Sequence, residues 1–97
     1  MHEVSYTEHF HYGQLRRALS SLNFKEHNGR NEFRAPIQAF YNPEYDALIT
    51  LPDKPDSAPL EPMYLRAAER TVEDWGVADS ETFLKLLREA AQEMQIA

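Results

Sequence analysis

The feature that most constrains this chain is a change of apolar period between residues 12 and 36. Tyr12, Leu15, Leu19 and Leu22 fall at i, i+3, i+7 and i+10, with Ala18 beside them, which is the repeat of one helix face. Gln14, Arg16 and Arg17 lie off that stripe and make the outer side of the helix basic. Asn23 tolerates the left-handed conformation that closes a helix, so it suits the position just past the end. Beyond it the helical period stops. Phe24 opens a short strand, Asn28-Gly29 is the strongest two-residue hairpin signal in the chain, and residues 32–34 read as the return strand before Pro36. A helix that feeds directly into a hairpin fits an α+β layer.

The remaining chain extends that layer. Pro36 cannot donate to a ladder, so residues 37–41 read as either a new edge strand or an insertion. Asn42-Pro43-Glu44-Tyr45-Asp46 is a turn, and the β-rich residues 47–51 read as a central strand that Pro52 ends. Residues 52–62 hold four Pro, two Asp and one Ser, which makes a stiff connector. Pro62 suits the first position of a second helix, whose stripe is Leu65, Ala68, Val72 and Trp75, with Trp75 expected at the core or its edge and Gly76 as the cap. Asp79 or Ser80 caps a third helix with the stripe Phe83, Leu84, Leu87, Ala91 and Met94. The expected architecture is one α+β domain over residues 12–97, in the order α-β-β-β-α plus a C-terminal helix. It has a three-stranded antiparallel sheet with helices on one face. Residues 1–11 are a polar lead whose removal is expected to leave the fold intact.

Composition narrows the function classes. Apolar residues make up 42% of the 97, enough for one modest core, and there is no Cys, so disulfides and thiolate metal sites are excluded. Neither a signal-like nor a membrane-spanning apolar run is present, and a cytoplasmic location is expected. The net charge of −6 is unevenly spread: residues 1–40 carry five Lys/Arg and four Asp/Glu, residues 41–97 five and twelve. Phosphate binding relies on cationic neutralisation, so an RNA contact would be local to the first helix and hairpin, and DNA is not expected as a partner. No phosphate-binding glycine loop and no nucleophile elbow occurs.

The order of the elements and the residues Gly29, Phe33 and Pro36 in the hairpin resemble the HicA family of small toxins. In that family a helix, a Gly-Phe corner and a hairpin with a glycine, a histidine, an aromatic and a proline present one catalytic histidine. Asn23-Phe24 stands at the corner, Leu51-Pro52 at the end of the last strand and Gly76-Val77 at the end of the closing helix. The similarity covers about residues 12–87. It implies a fold like the double-stranded RNA-binding domain, mRNA interferase activity, and inhibition by a HicB antitoxin that covers the catalytic face. The family's histidine assists the RNA 2′-hydroxyl by general acid/base catalysis. Arg30 occupies that position here, and a guanidinium cannot take up a proton, although it binds phosphate well.

Three functions follow. The first is a catalytically degenerate HicA-like domain that binds RNA or a HicB-like antitoxin, with Arg30, Asn31, Arg16, Arg17, Lys25 and Arg34 as the binding residues. The second is an active ribonuclease in which His27 replaces the missing base. The third is a protein-interaction module without RNA binding, favoured by the acidic second half, the connector at 52–62 and the extra helix. His9 and His11 at i, i+2, with His2 or Glu8, form too small a set for zinc, and no metal or cofactor is expected. An edge strand at 37–41, or the apolar stripe of the third helix, would admit a homodimer.

Overall fold

The computed structural model describes residues 10–27 and 37–95. The elements run α1 (Tyr12–Ser21), β1 (Lys25–His27), β2 (Ile37–Asn42), β3 (Ala47–Pro52), α2 (Pro62–Asp74) and α3 (Ser80–Gln95). This is the expected α+β order, with three antiparallel strands in one sheet. The local stop signals act as their chemistry requires. Asn23 takes a φ of 67° after α1, Gly76 a φ of 73° after α2, and Pro62 opens α2. Asp79 caps α3, its Oδ1 accepting from the Thr82 amide at 2.7 Å.

The sheet is a meander of order β1-β2-β3, with Lys25 opposite Tyr41, Phe40 opposite Ile49 and Asn42 opposite Ala47. Two expectations about position are corrected here. Residues 37–42 form the middle strand rather than an edge, because both neighbours pair with them, and residues 47–52 form an edge rather than the centre. Pro36 only withholds a donor before β2 begins, and so does not exclude pairing on both sides. The expected return strand at 32–34 lies outside the described residues.

Strand alternation gives the sheet two unlike faces. Phe40, Asn42, Ala47, Ile49 and Leu51 are buried on one of them. The helices gather there: α2 packs on β3, and α3 packs on both α1 and α2. Leu15, Ala18 and Leu19 of α1 share one core with Phe24, Phe40, Leu65, Val72, Phe83 and Leu87. Fully burying each of the Leu, Val and Phe side chains is worth about 1.5–3 kcal/mol.

Three further residues depart from the sequence reading. Phe10 belongs to the core although it sits in the polar lead, so the packed chain begins before residue 12. Gln14 is buried rather than outward; its Oε1 accepts from the His11 amide at 2.7 Å and its Nε2 donates to the Leu87 carbonyl at 3.4 Å. Trp75 is 55% exposed rather than at the core. It is the C-cap of α2 (φ −86°, ψ 0°), and past the last helical residue the apolar stripe no longer predicts direction.

Candidate functional site

Of the residues read from the sequence as a phosphate-binding set, Arg16, Arg17 and Lys25 lie among the described residues. Arg16 is committed inside the fold. Its Nε donates to Gln38 Oε1 at 2.8 Å, its Nη1 to Asp56 Oδ1 at 2.6 Å, and its Nη2 to the Lys54 carbonyl. The planar fork thus joins α1 to β2 and to the connector, and the guanidinium carbon lies 5.8 Å from the centre of the Tyr12 ring. These bonds give Arg16 a structural role. The connector also closes the start of α1, where the Tyr12 and Gly13 amides donate to the carbonyls of Ala58 and Asp56, each at 3.0 Å. These amides would otherwise form an anion site; here backbone oxygens occupy them.

Arg17 and Lys25 are both exposed, and Arg17 makes contacts of its own. His27 ends β1 opposite Ala39. Arg30, Asn31 and Arg34 lie outside the described residues, as do Gly29, Phe33 and Pro36 of the hairpin and His2, Glu8 and His9 of the weighed metal set. His11 is the N-cap of α1, its Nδ1 3.1 Å from Gln14 Oε1.

What the fold does assemble is a sheet face that no helix covers among the described residues. Alternation places Lys25, Ile37, Ala39, Tyr41, Leu48, Thr50 and Pro52 together on the side away from the helices. Lys25 lies next to Tyr41, and Tyr41 next to Leu48; Ala39 faces Thr50, and Ile37 faces Pro52. Leu48 is 53% exposed and Ile37 44%. The Tyr41 hydroxyl donates to Asp46 Oδ1 at 2.6 Å. That bond, then desolvation and the carboxylate charge, raise the tyrosine pKa above its ordinary value. Glu44, Asp46 and Asp53, all exposed, put negative charge beside the β2–β3 turn and after β3.

This face was legible only in one detail. In 47–51 the alternation would place Ala47, Ile49 and Leu51 inward and Leu48 and Thr50 outward, so Leu48 breaks the polar-outside rule. Read as a central strand buried on both faces, the segment hides that signal. Chemically the face can bury apolar surface and present a cation beside an aromatic ring.

Under the helices, Tyr12 is fully buried with its ring 6.4 Å from that of Tyr64. Burial, then the Glu61 charge and Tyr64, raise its pKa. The Glu61 backbone lies nearby, yet the hydroxyl has no partner at hydrogen-bonding geometry among the described residues.

No helix among the described residues is long and apolar enough to cross a membrane. Compared with protein-family models, curated proteins and solved structures, the chain has no match.

Proposed function

We propose that this chain is a HicA-like domain that binds rather than cuts, and that the sheet face opposite its helices holds a HicB-like protein partner. The observation that carries this is the pair Ile37 and Leu48, each about half in water on the same face of adjacent strands. Covering such groups gains about 25 cal/mol per Å² of apolar surface. The acidic residues Glu44, Asp46 and Asp53 repel phosphate and suit a partner with basic groups around an apolar centre. The α-β-β-β-α order agrees with the fold that the resemblance implies. Arg30 in place of the family's histidine removes the proton acceptor that cleavage would need.

A second reading, RNA binding, is favoured by one contact. Lys25 and Tyr41 are cross-strand neighbours, and a cation beside a ring suits a phosphate next to a stacked base. One experiment separates the two. The protein is titrated with a HicB-like protein from the same genome, and with labelled RNA at low and moderate salt, the RNA samples also being run for cleavage. Protein binding that weakens at least about tenfold in Ile37→Glu/Leu48→Glu supports docking on the sheet face. Unchanged binding in that variant overturns it. Salt-sensitive RNA binding without protein binding would transfer the face to RNA, and cleavage gained only in Arg30→His would mark a degenerate nuclease. Cleavage by the unaltered chain, lost in His27→Ala, would sink the non-catalytic reading.

A further inference from the structure

The two edges of the sheet are built differently. Among the described residues β1 is three residues long and reads Lys-Glu-His, whereas β3 has six residues, Ala-Leu-Ile-Thr-Leu-Pro, and no charge. Shortness and charge are how proteins keep an edge from pairing with another chain. β1 has both. The outer edge of β3 has no charge, and among the described residues no strand pairs with it. Successive residues of an edge strand turn their N–H and C=O groups alternately toward the neighbour and away, so β3 carries a row of outward donors and acceptors.

We propose that β3 pairs antiparallel with β3 of a second copy, making the two three-stranded sheets one continuous sheet with all helices on one side. Symmetry restricts the register. The two-fold axis stands perpendicular to the sheet, so covered face continues covered face, and opposed residues share a face. With Ile49 on the axis, Ala47 faces Leu51 and Leu48 faces Thr50, so every non-proline residue of the strand is paired. Moving the axis to Leu48 sets Asp46 against Thr50, and moving it to Thr50 draws Pro52, which has no N–H, into the ladder. Overlap of strand residues and donor count both favour the Ile49 register. Because α2 packs on β3, the α2 helices of the two copies come alongside each other. Their contact adds to a strand pairing that by itself would bury less than the roughly 1,200 Å² of a stable interface.

The test is sedimentation of the full chain across micromolar concentrations, with circular dichroism as a check on folding. Leu48 and Thr50 are exposed, so substituting them leaves the monomer core intact. The unaltered chain is expected to dimerise. Leu48→Lys/Thr50→Lys places like charges opposite each other at both symmetric pairs and should weaken the dimer by about tenfold or more. Leu48→Lys/Thr50→Glu places opposite charges there and should retain it. A chain that stays monomeric throughout overturns the proposal, as does equal weakening by the two variants. No partner protein or RNA enters this measurement, so its outcome is separate from that of the docking titration.

Discussion

Replacing Arg16 by Ala should destabilise the domain by about 2–3 kcal/mol, although Arg16 looks like a surface cation in the sequence. The bond to Gln38 is partly buried and charge-assisted, worth about 1.5 kcal/mol, and the bond to the Lys54 carbonyl adds about 1. The pair with Asp56 counts for little, about 0.5 kcal/mol or less, because the Asp56 side chain is 67% exposed. The Tyr12 ring contributes about 0.5 kcal/mol more. Water reaches some of the orphaned acceptors, so the total falls slightly short of the sum. Urea unfolding is the assay. With a slope of about 1.3 kcal/mol/M for a domain this small, the midpoint should fall by about 1.5–2.3 M without a change of slope. Arg16→Lys should recover less than half, since one ammonium cannot span three acceptors held at different angles. Asp56→Ala should cost no more than about 0.5 kcal/mol. An Arg16→Ala midpoint within about 0.4 M of the parent would refute the idea that this fork anchors the connector.

Other perturbations test separate parts of the fold. Asn42 is fully buried; its Nδ2 donates to the Leu22 carbonyl at 2.8 Å, and its Oδ1 accepts from the Glu44 and Tyr45 amides at 2.9 and 3.2 Å. Asn42→Ala should cost about 2–3 kcal/mol, seen as a Tm lowered by about 10 °C or more, and Asn42→Asp should do no better because a carboxylate oxygen would face the Leu22 carbonyl. Tyr12→Phe should be neutral or stabilising in the same thermal assay, since it removes a buried hydroxyl that has no partner among the described residues; a loss above about 1 kcal/mol would refute this. Tyr12 and Tyr41 both have raised pKa values in the folded state, so above the ordinary value of 10.0 the unfolded chain gives up protons first and stability falls as pH rises. Urea midpoints measured between neutral pH and pH values above 10 should therefore decline at the alkaline end, and Tyr12→Phe should decline less. Deleting residues 1–11 should cost about 3 kcal/mol or more by chemical denaturation, because it removes Phe10 from the core; an unchanged midpoint would restore the boundary at residue 12.

Much of the fold is legible because its signals are local. The stripe from Tyr12 to Leu19, the stop at Asn23, the turn at 42–46, Pro62 and Gly76 each act within a few residues, and each appears where its chemistry puts it. Position within the sheet is not local. Whether 37–42 lies at an edge or in the middle depends on what pairs beside it, and Pro36 argues only about one donor. The same holds for side chains whose partners are distant. Arg16 and Gln14 lie off the apolar stripe, yet the connector and α3 supply acceptors for them that no helical repeat can reveal. Phe10 lies between two histidines in a mostly polar stretch, outside the helical repeat that marks the core face of α1. The candidate site was the least legible part. The cationic set drew attention to the hairpin, whereas the assembled face rests on Leu48 and Ile37, whose exposure follows from alternation across a register that the sequence does not state.

The seating of the connector on α1 has a consequence for how the chain reaches its native state. The first-turn amides of α1 find their acceptors on Asp56 and Ala58, residues that follow the entire sheet in sequence. A nascent or proteolytic fragment holding α1 and β1 alone would leave these donors to water and the Arg16 fork without its connector and β2 acceptors. The β2–β3 hairpin, by contrast, closes over a short turn pinned by Asn42 and pays little loop entropy. Chain closure therefore favours the hairpin as the early element and α1 as one completed only when the connector returns. Helix and connector then gain or lose their order together, which ties distant parts of the chain into one cooperative unit.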